Sequence, residues 1–133
     1  MNQFAIDRRN GVLLVKLAGS MTRESLGVLD AEVKDVIARE GSMAAIFDFT
    51  DVAALRIQPS TAADRGRQPS VMAGKPRVFV TADPLLFGML RVYAAYRDIN
   101  GEKPPMVVRL LLEAFRELSL IDPKFEPLTI GPA

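Results

Sequence analysis

The sequence contains neither cysteine nor histidine. That double absence removes disulfides, thiol nucleophiles, imidazole bases, the common zinc ligand sets and every catalytic triad that depends on histidine. A charge excess is missing as well: 17 Lys and Arg stand against 16 Asp and Glu, a formal charge of +1. Such a balance gives no electrostatic case for nucleic acid or an anionic membrane as a partner. Neither glycine-rich phosphate loop occurs, G-x-G-x-x-G or G-x-x-x-x-G-K-[ST], so nucleotide chemistry has no anchor. No apolar run reaches the roughly 18 to 20 residues that span a bilayer, because Lys16, Asp48, Asp83 and Arg91 interrupt the longest ones. The first ten residues also lack the apolar stretch of a signal peptide. These absences predict a cytoplasmic protein that is not an enzyme of a familiar kind, with no membrane insertion, no nucleic-acid partner, no metal and no other cofactor.

What is present is the composition of an ordinary globular domain: 133 residues, 49% hydrophobic and 25% charged, with 9 Gly and 9 Pro. A chain of this length buries about two thirds of its unfolded surface and needs no covalent staple. We expect one domain over residues 1–120 and an extended C-terminal tail, 121–133, that contains Pro123, Pro127 and Pro132.

Phe4-Ala5-Ile6 and the apolar run 12–17 flank Asn10-Gly11, which predicts a hairpin with a two-residue primed turn. Gly19 and Ser20 close the second strand, and Thr22 is placed to cap a helix with Glu24 near its positive end. Leu26, Leu29, Val33, Val36 and Ile37 follow at helical spacing up to Gly41. Residues 44–49 form a short apolar strand and 50–58 a loop. A helix beginning at Pro59-Ser60 is interrupted by Gly66, Pro69 and Gly74, so it should be short or irregular. Residues 77–81 are a further strand, and Asp83-Pro84 starts a helix that runs to about 98, with Gly88 permitting a close approach. Met106-Val107-Val108 makes the last short strand, and Leu111, Leu112, Phe115 and Leu118 form a final amphipathic stripe. The order β-β-α-β-α-β-α-β-α predicts an α/β fold: a mixed, mostly parallel sheet of about five strands with about four helices and an opening β-hairpin.

Three segments, residues 15–22, residues 45–52 and the stretch that opens at 77–84 and continues through 87–93, 107–109 and 113–118, together resemble the STAS-like fold family, and within it the SpoIIAA-like group of anti-sigma-factor antagonists, also described as STAS/SEC14-like. The run Val15-Lys16-Leu17-Ala18-Gly19-Ser20-Met21-Thr22 is similar to the family's strand ending in a small-Gly-x-x-Thr entry to the first helix. Ala45-Ile46-Phe47-Asp48-Phe49-Thr50-Asp51-Val52 is similar to its apolar strand closed by an acid. The most distinctive stretch begins at Arg77-Val78-Phe79-Val80-Thr81-Ala82-Asp83-Pro84, continues through 87–93, and ends in 107–109 and 113–118. Together they span residues 4–120 in order. The resemblance implies this fold and a binding role. In that group a serine in an Asp-Ser-Ser-Gly-type turn at the start of the second helix is phosphorylated by a partner kinase. The matching stretch here reads Gln58-Pro59-Ser60-Thr61-Ala62, without the acid or the glycine, so the sigma-factor pathway is not carried over.

Ser60 and Thr61 are the phosphoacceptor candidates, and both residue types are also common helix caps. Asp48, Asp51, Asp83 and Arg109 sit near the C-terminal ends of strands, where open α/β sheets place ligands. Acid–base work or cation binding there stands beside plain structural roles in a strand, a turn and a cap. Arg65, Arg67, Lys75 and Arg77 form a basic stretch that reads as an anion-binding surface or a solvated face. Phe87, Arg91 and Tyr93 are candidates for a ligand pocket of the kind the SEC14-like label implies, with Met89 and Tyr96 nearby, or for ordinary packing. The leading expectation is a non-enzymatic regulatory or protein-interaction module, possible to control by Ser/Thr phosphorylation and recognised through residues 50–74. The alternative is a carrier or sensor of a small apolar or amphipathic ligand held between the sheet and the 84–98 helix. The edge of the opening hairpin could pair with a second copy as a homo-oligomer, or be covered by the tail.

Overall fold

The computed structural model describes residues 2–70, 72 and 74–130. Its first hairpin joins β1 (Gln3–Asp7) to β2 (Val12–Met21), with Asp7 paired to Val12. The connection is therefore four residues long, a correction to the two-residue turn. Of Asn10 and Gly11 only Gly11 has a positive φ, 67°. Asp7 closes the loop: its carboxylate accepts from the Asn10 backbone N–H at 3.0 Å and from the Asn10 side-chain amide at 2.7 Å.

Thr22 caps α1 (Arg23–Glu40) as expected. Ser25 completes the box, donating its N–H to Thr22 Oγ1 at 3.0 Å while its own Oγ accepts from Thr22 N–H at 2.8 Å. Leu26, Leu29, Val33 and Val36 form the buried stripe. β3 (Ala44–Leu55) then overturns the expected loop at 50–58. It continues because β2 continues beside it, pairing Ala18 with Asp51 and Met21 with Leu55 through two register shifts. Gly19, at the second shift, has a φ of 79° that a side chain would resist.

The helix expected from Pro59 is short, nine residues that end before Pro69. α2 (Pro59–Arg67) starts from Gln58 without a side-chain cap, and it packs chiefly on α3 (Pro84–Ile99). Close approach occurs at Gly66 and not at Gly88. A Cβ at Gly66 would lie 2.6 Å from Tyr96 Cβ and 2.8 Å from the Tyr93 carbonyl oxygen, whereas one at Gly88 would meet nothing within 4 Å. α3 begins as expected, with Asp83 accepting the Leu85 N–H at 2.9 Å and Pro84 in the first turn. β4 (Arg77–Val80), β5 (Met106–Val108) and α4 (Leu111–Glu117) lie within a residue or two of their expected places.

The tail adds one strand to the expected five. β6 (Glu126–Leu128) pairs antiparallel with β1, setting Phe4 opposite Leu128. Lys124 N–H donates to the Asp7 carboxylate at 3.0 Å, and the Arg39 guanidinium to the Thr129 carbonyl at 2.9 Å. The hairpin edge is thus covered by the chain's own tail; Pro132 lies outside the described residues. Among the described residues the sheet has six strands in the order β5-β4-β3-β2-β1-β6, parallel from β2 to β5 and antiparallel at β1.

Alternation along the strands sorts side chains between two faces. Leu13, Val15, Phe47 and Phe79 point to the face covered by α1 and α3. Val12, Leu14, Ile46, Val78 and Val80 point to the face covered by α4 through Ala114. Each such burial stabilises by about 1.5–3 kcal/mol. No helix of the described residues is long and apolar enough to cross a membrane.

Candidate functional site

Arg77 opens β4 two residues before Phe79, so strand alternation sends its side chain to the same face. That face is the interior beneath α1 and α3, and Arg77 is only 7% exposed. The expected basic stretch is therefore dispersed. Arg65 reaches across to α1 and holds Asp30 with two bonds of 2.9 and 2.7 Å, Arg67 pairs with Asp64 at 3.1 Å, and Arg77 is buried. Arg77 Nη1 donates to the Tyr93 hydroxyl at 3.0 Å. Its guanidinium carbon lies 5.9 Å from the Phe79 ring centre and 5.8 Å from that of Tyr93. Among the described residues no carboxylate comes within ion-pair distance of it.

Arg77 and Tyr93 line a cavity of about 170 Å³ between the sheet, α1 and α3. Its inner walls are apolar: Phe47, Phe49 and Phe79 from the sheet, Leu29 and Val33 from α1, Leu86, Met89 and Leu90 from α3, and Met72 from the segment that follows α2. Phe47 meets Phe79 edge to face at 5.5 Å, and Phe79 lies 5.7 Å from Tyr93. The Arg65–Asp30 pair stands at the rim beside exposed Gln68 and Pro69.

A second guanidinium lies behind Tyr93. Arg97 is 1% exposed, 5.8 Å from the Tyr93 ring centre, and paired with Glu102; its Nε has no partner. Burial holds its pKa below the ordinary arginine value, Tyr93 opposes that shift, and the neighbouring charge of Arg77 adds to it. Two cations thus flank one tyrosine, with a single carboxylate between them.

The other candidates fall elsewhere. Phe87 and Arg91 do not line the cavity; Arg109 sits 4.4 Å over the Phe87 ring and Arg91 at 6.0 Å, so these three gather at the start of α3. Asp48 is 7% exposed and accepts from the Thr50 N–H and hydroxyl, while Asp83 is committed to the α3 cap. Asp51 is exposed on the outer half of β3. Among the described residues no three potential ligands group as a metal site. Ser60 is exposed in the first turn of α2, whereas Thr61 is buried. Thr50, Val52, Ala53, Ala54, Leu55 and Asp83 border a groove of about 120 Å³, whereas Thr61 lines a different one, between α1 and α2. Of the three pocket candidates Tyr93 alone lines this cavity, and sequence reasoning missed Arg77 as a buried group. The signal was available in the alternation Arg77-Val78-Phe79-Val80, which puts a cation on the face of an aromatic.

Among solved structures the chain is similar to the anti-sigma factor antagonist SpoIIAA in its unphosphorylated form. The match covers 90% of this chain and 99% of that one, with a TM-score of 0.54 and 12% sequence identity. No protein-family model matches the chain, and no curated protein matches it by sequence. Identity this low bears on architecture alone, and there it agrees with the element order and the mixed sheet described above: the chain has the STAS/SpoIIAA-like fold.

Proposed function

We infer that the chain is a non-enzymatic, cytoplasmic regulatory module of the STAS type, which docks a protein partner through the outer half of β3 and the start of α2. One observation carries this reading. β3 pairs with β4 only as far as Asp48 opposite Val80, so residues 50–55 are bonded to β2 on one side and, among the described residues, to no strand on the other. An extended peptide can add itself to such an edge, with side chains entering the groove beside Asp83. Ser60, exposed in the first turn of α2, follows that edge closely in sequence, and a phosphate there would add up to two negative charges to the segment that leaves it. The test is a photo-crosslinking amino acid at Ala53, with Lys34 on α1 as the control position, in the protein's own cells. A single protein captured at Ala53 and not at Lys34, with its yield changed by Ser60→Glu, is the expected result. Equal capture at both positions, unaffected by Ser60→Glu, removes the reading.

The cavity favours a second reading, a carrier or sensor of a small apolar or amphipathic ligand. Its support is the placement of Arg77 in a cavity whose inner walls are apolar and whose other charged lining residues, Arg65 and Asp30, are paired with each other at the rim.

A further inference from the structure

We propose that this cavity binds a small monocarboxylate with a compact apolar body, of the size of benzoate or hexanoate, and that Arg77 holds its carboxylate. The proposal rests on the carrier reading and adds to it the charge, size and anchor of the ligand.

Charge decides the anchor. A guanidinium carries five N–H donors and keeps its proton at any ordinary pH. At Arg77 one nitrogen, Nη1, has an acceptor among the described residues, and that acceptor is the neutral Tyr93 hydroxyl. Arg97, buried still deeper, has Glu102. Arg77 has no such counterpart among the described residues, and none of its nitrogens is among the buried atoms that lack a partner, so its free N–H donors face accessible space rather than packed side chains. A carboxylate meets the guanidinium fork with two parallel bonds, which suits this gap better than a point acceptor does. A dianion fits less well, since the second guanidinium near Tyr93 is already committed to Glu102.

Size and lining decide the body. An apolar cavity of about 150 Å³ accommodates benzene. The volume here is about 170 Å³, enough for one ring or a short chain beside a carboxylate and too little for a long acyl chain. Phe47, Phe79 and Tyr93 offer ring faces and edges, and Leu29, Met89 and Leu90 close the aliphatic side. The exposed lining residues Gln68 and Pro69 mark the mouth, and a wider groove between α1 and α2 shares Leu26, Arg65 and Gln68 with it.

The test is titration calorimetry of the full chain with benzoate, phenylacetate and hexanoate, against benzamide, which keeps the ring and lacks the charge. We expect an acid to bind and benzamide to bind about tenfold more weakly or worse. Arg77→Leu should lose acid binding while its circular dichroism remains that of the folded domain. Ala62→Phe, which fills the cavity from α2 and leaves Arg77 in place, should lose it too and keeps the test valid if Arg77→Leu does not fold. Equal binding of benzamide and benzoate overturns the anionic head and leaves the carrier reading standing. Acid binding undiminished in either variant overturns the site. No binding by any compound overturns the proposal, and a neutral apolar molecule extracted from the purified protein would then show that the carrier reading survives without it.

Discussion

Val78 and Val80 of β4 point to the face under α4, Arg77 and Phe79 to the face under α1 and α3, and the two faces bury different chemistry. Under α4 lie small and branched aliphatic side chains closed by Ala114. Under α1 and α3 lie five aromatic rings, Phe4, Phe47, Phe49, Phe79 and Tyr93, with two guanidinium groups and a cavity. The first face needs nothing beyond packing, whereas the second tolerates charge and open volume that packing alone would disfavour. The face under α1 and α3 nevertheless holds the larger of the two buried clusters, so the charge and the open volume are set into the main core of the domain.

The contrast is open to attack by substitution. Ile46→Ala, at a fully buried position on the α4 face, should cost about 4 kcal/mol in denaturant unfolding, against about 2 kcal/mol for Met89→Ala beside the cavity. Equal losses would dissolve the distinction. Glu102→Ala leaves Arg97 buried and unpaired and should cost about 3 kcal/mol, most of it recovered when Arg97→Met is added. Gly66→Ala forces α2 away from α3 and should cost about 2 kcal/mol, with hydrogen exchange accelerated in α2 first.

The smallest effect tests the region outside both faces. Asp7 is held below its ordinary pKa of 3.8, first by the Asn10 backbone N–H, then by the Asn10 side chain, with the Lys124 N–H contributing. A depressed carboxyl stabilises the fold above its unfolded value and loses that contribution as the pH falls through its folded one. The melting difference between wild type and Asp7→Asn should therefore be flat near neutrality and shrink as the pH drops through and below 3.8. A difference that grows on acidification would reverse the assignment.

Where local chemistry decides structure, it was readable: Thr22 and Asp83-Pro84 start helices and Gly41 stops one, all within a few residues of the groups they bond. Elements decided at a distance were not. Residues 50–55 have no apolar alternation and are a strand only because β2 runs beside them. α2 owes its regularity to α3. Gly66 and Gly88 look alike in sequence, and only the arrangement of helices determines which of them receives a neighbour. β6 is three residues with a central Pro127, visible only once β1 presents an edge. The site divides the same way. Helical spacing places Tyr93 on the inner side of α3, where it packs on Phe79, while the loneliness of Arg77 is a property of everything around it and of no stretch of sequence.

That last strand has a consequence for synthesis. β6 is translated after every other described element, so each nascent chain carries β1 as an uncovered edge until its final segment is free to fold back. Any extension or clip that delays or removes residues 124–129 would prolong that interval and offer β1 to a neighbouring chain. The clasp around Asp7 therefore ends an interval of exposure, closing an edge that is open to neighbouring chains until residues 124–129 fold back.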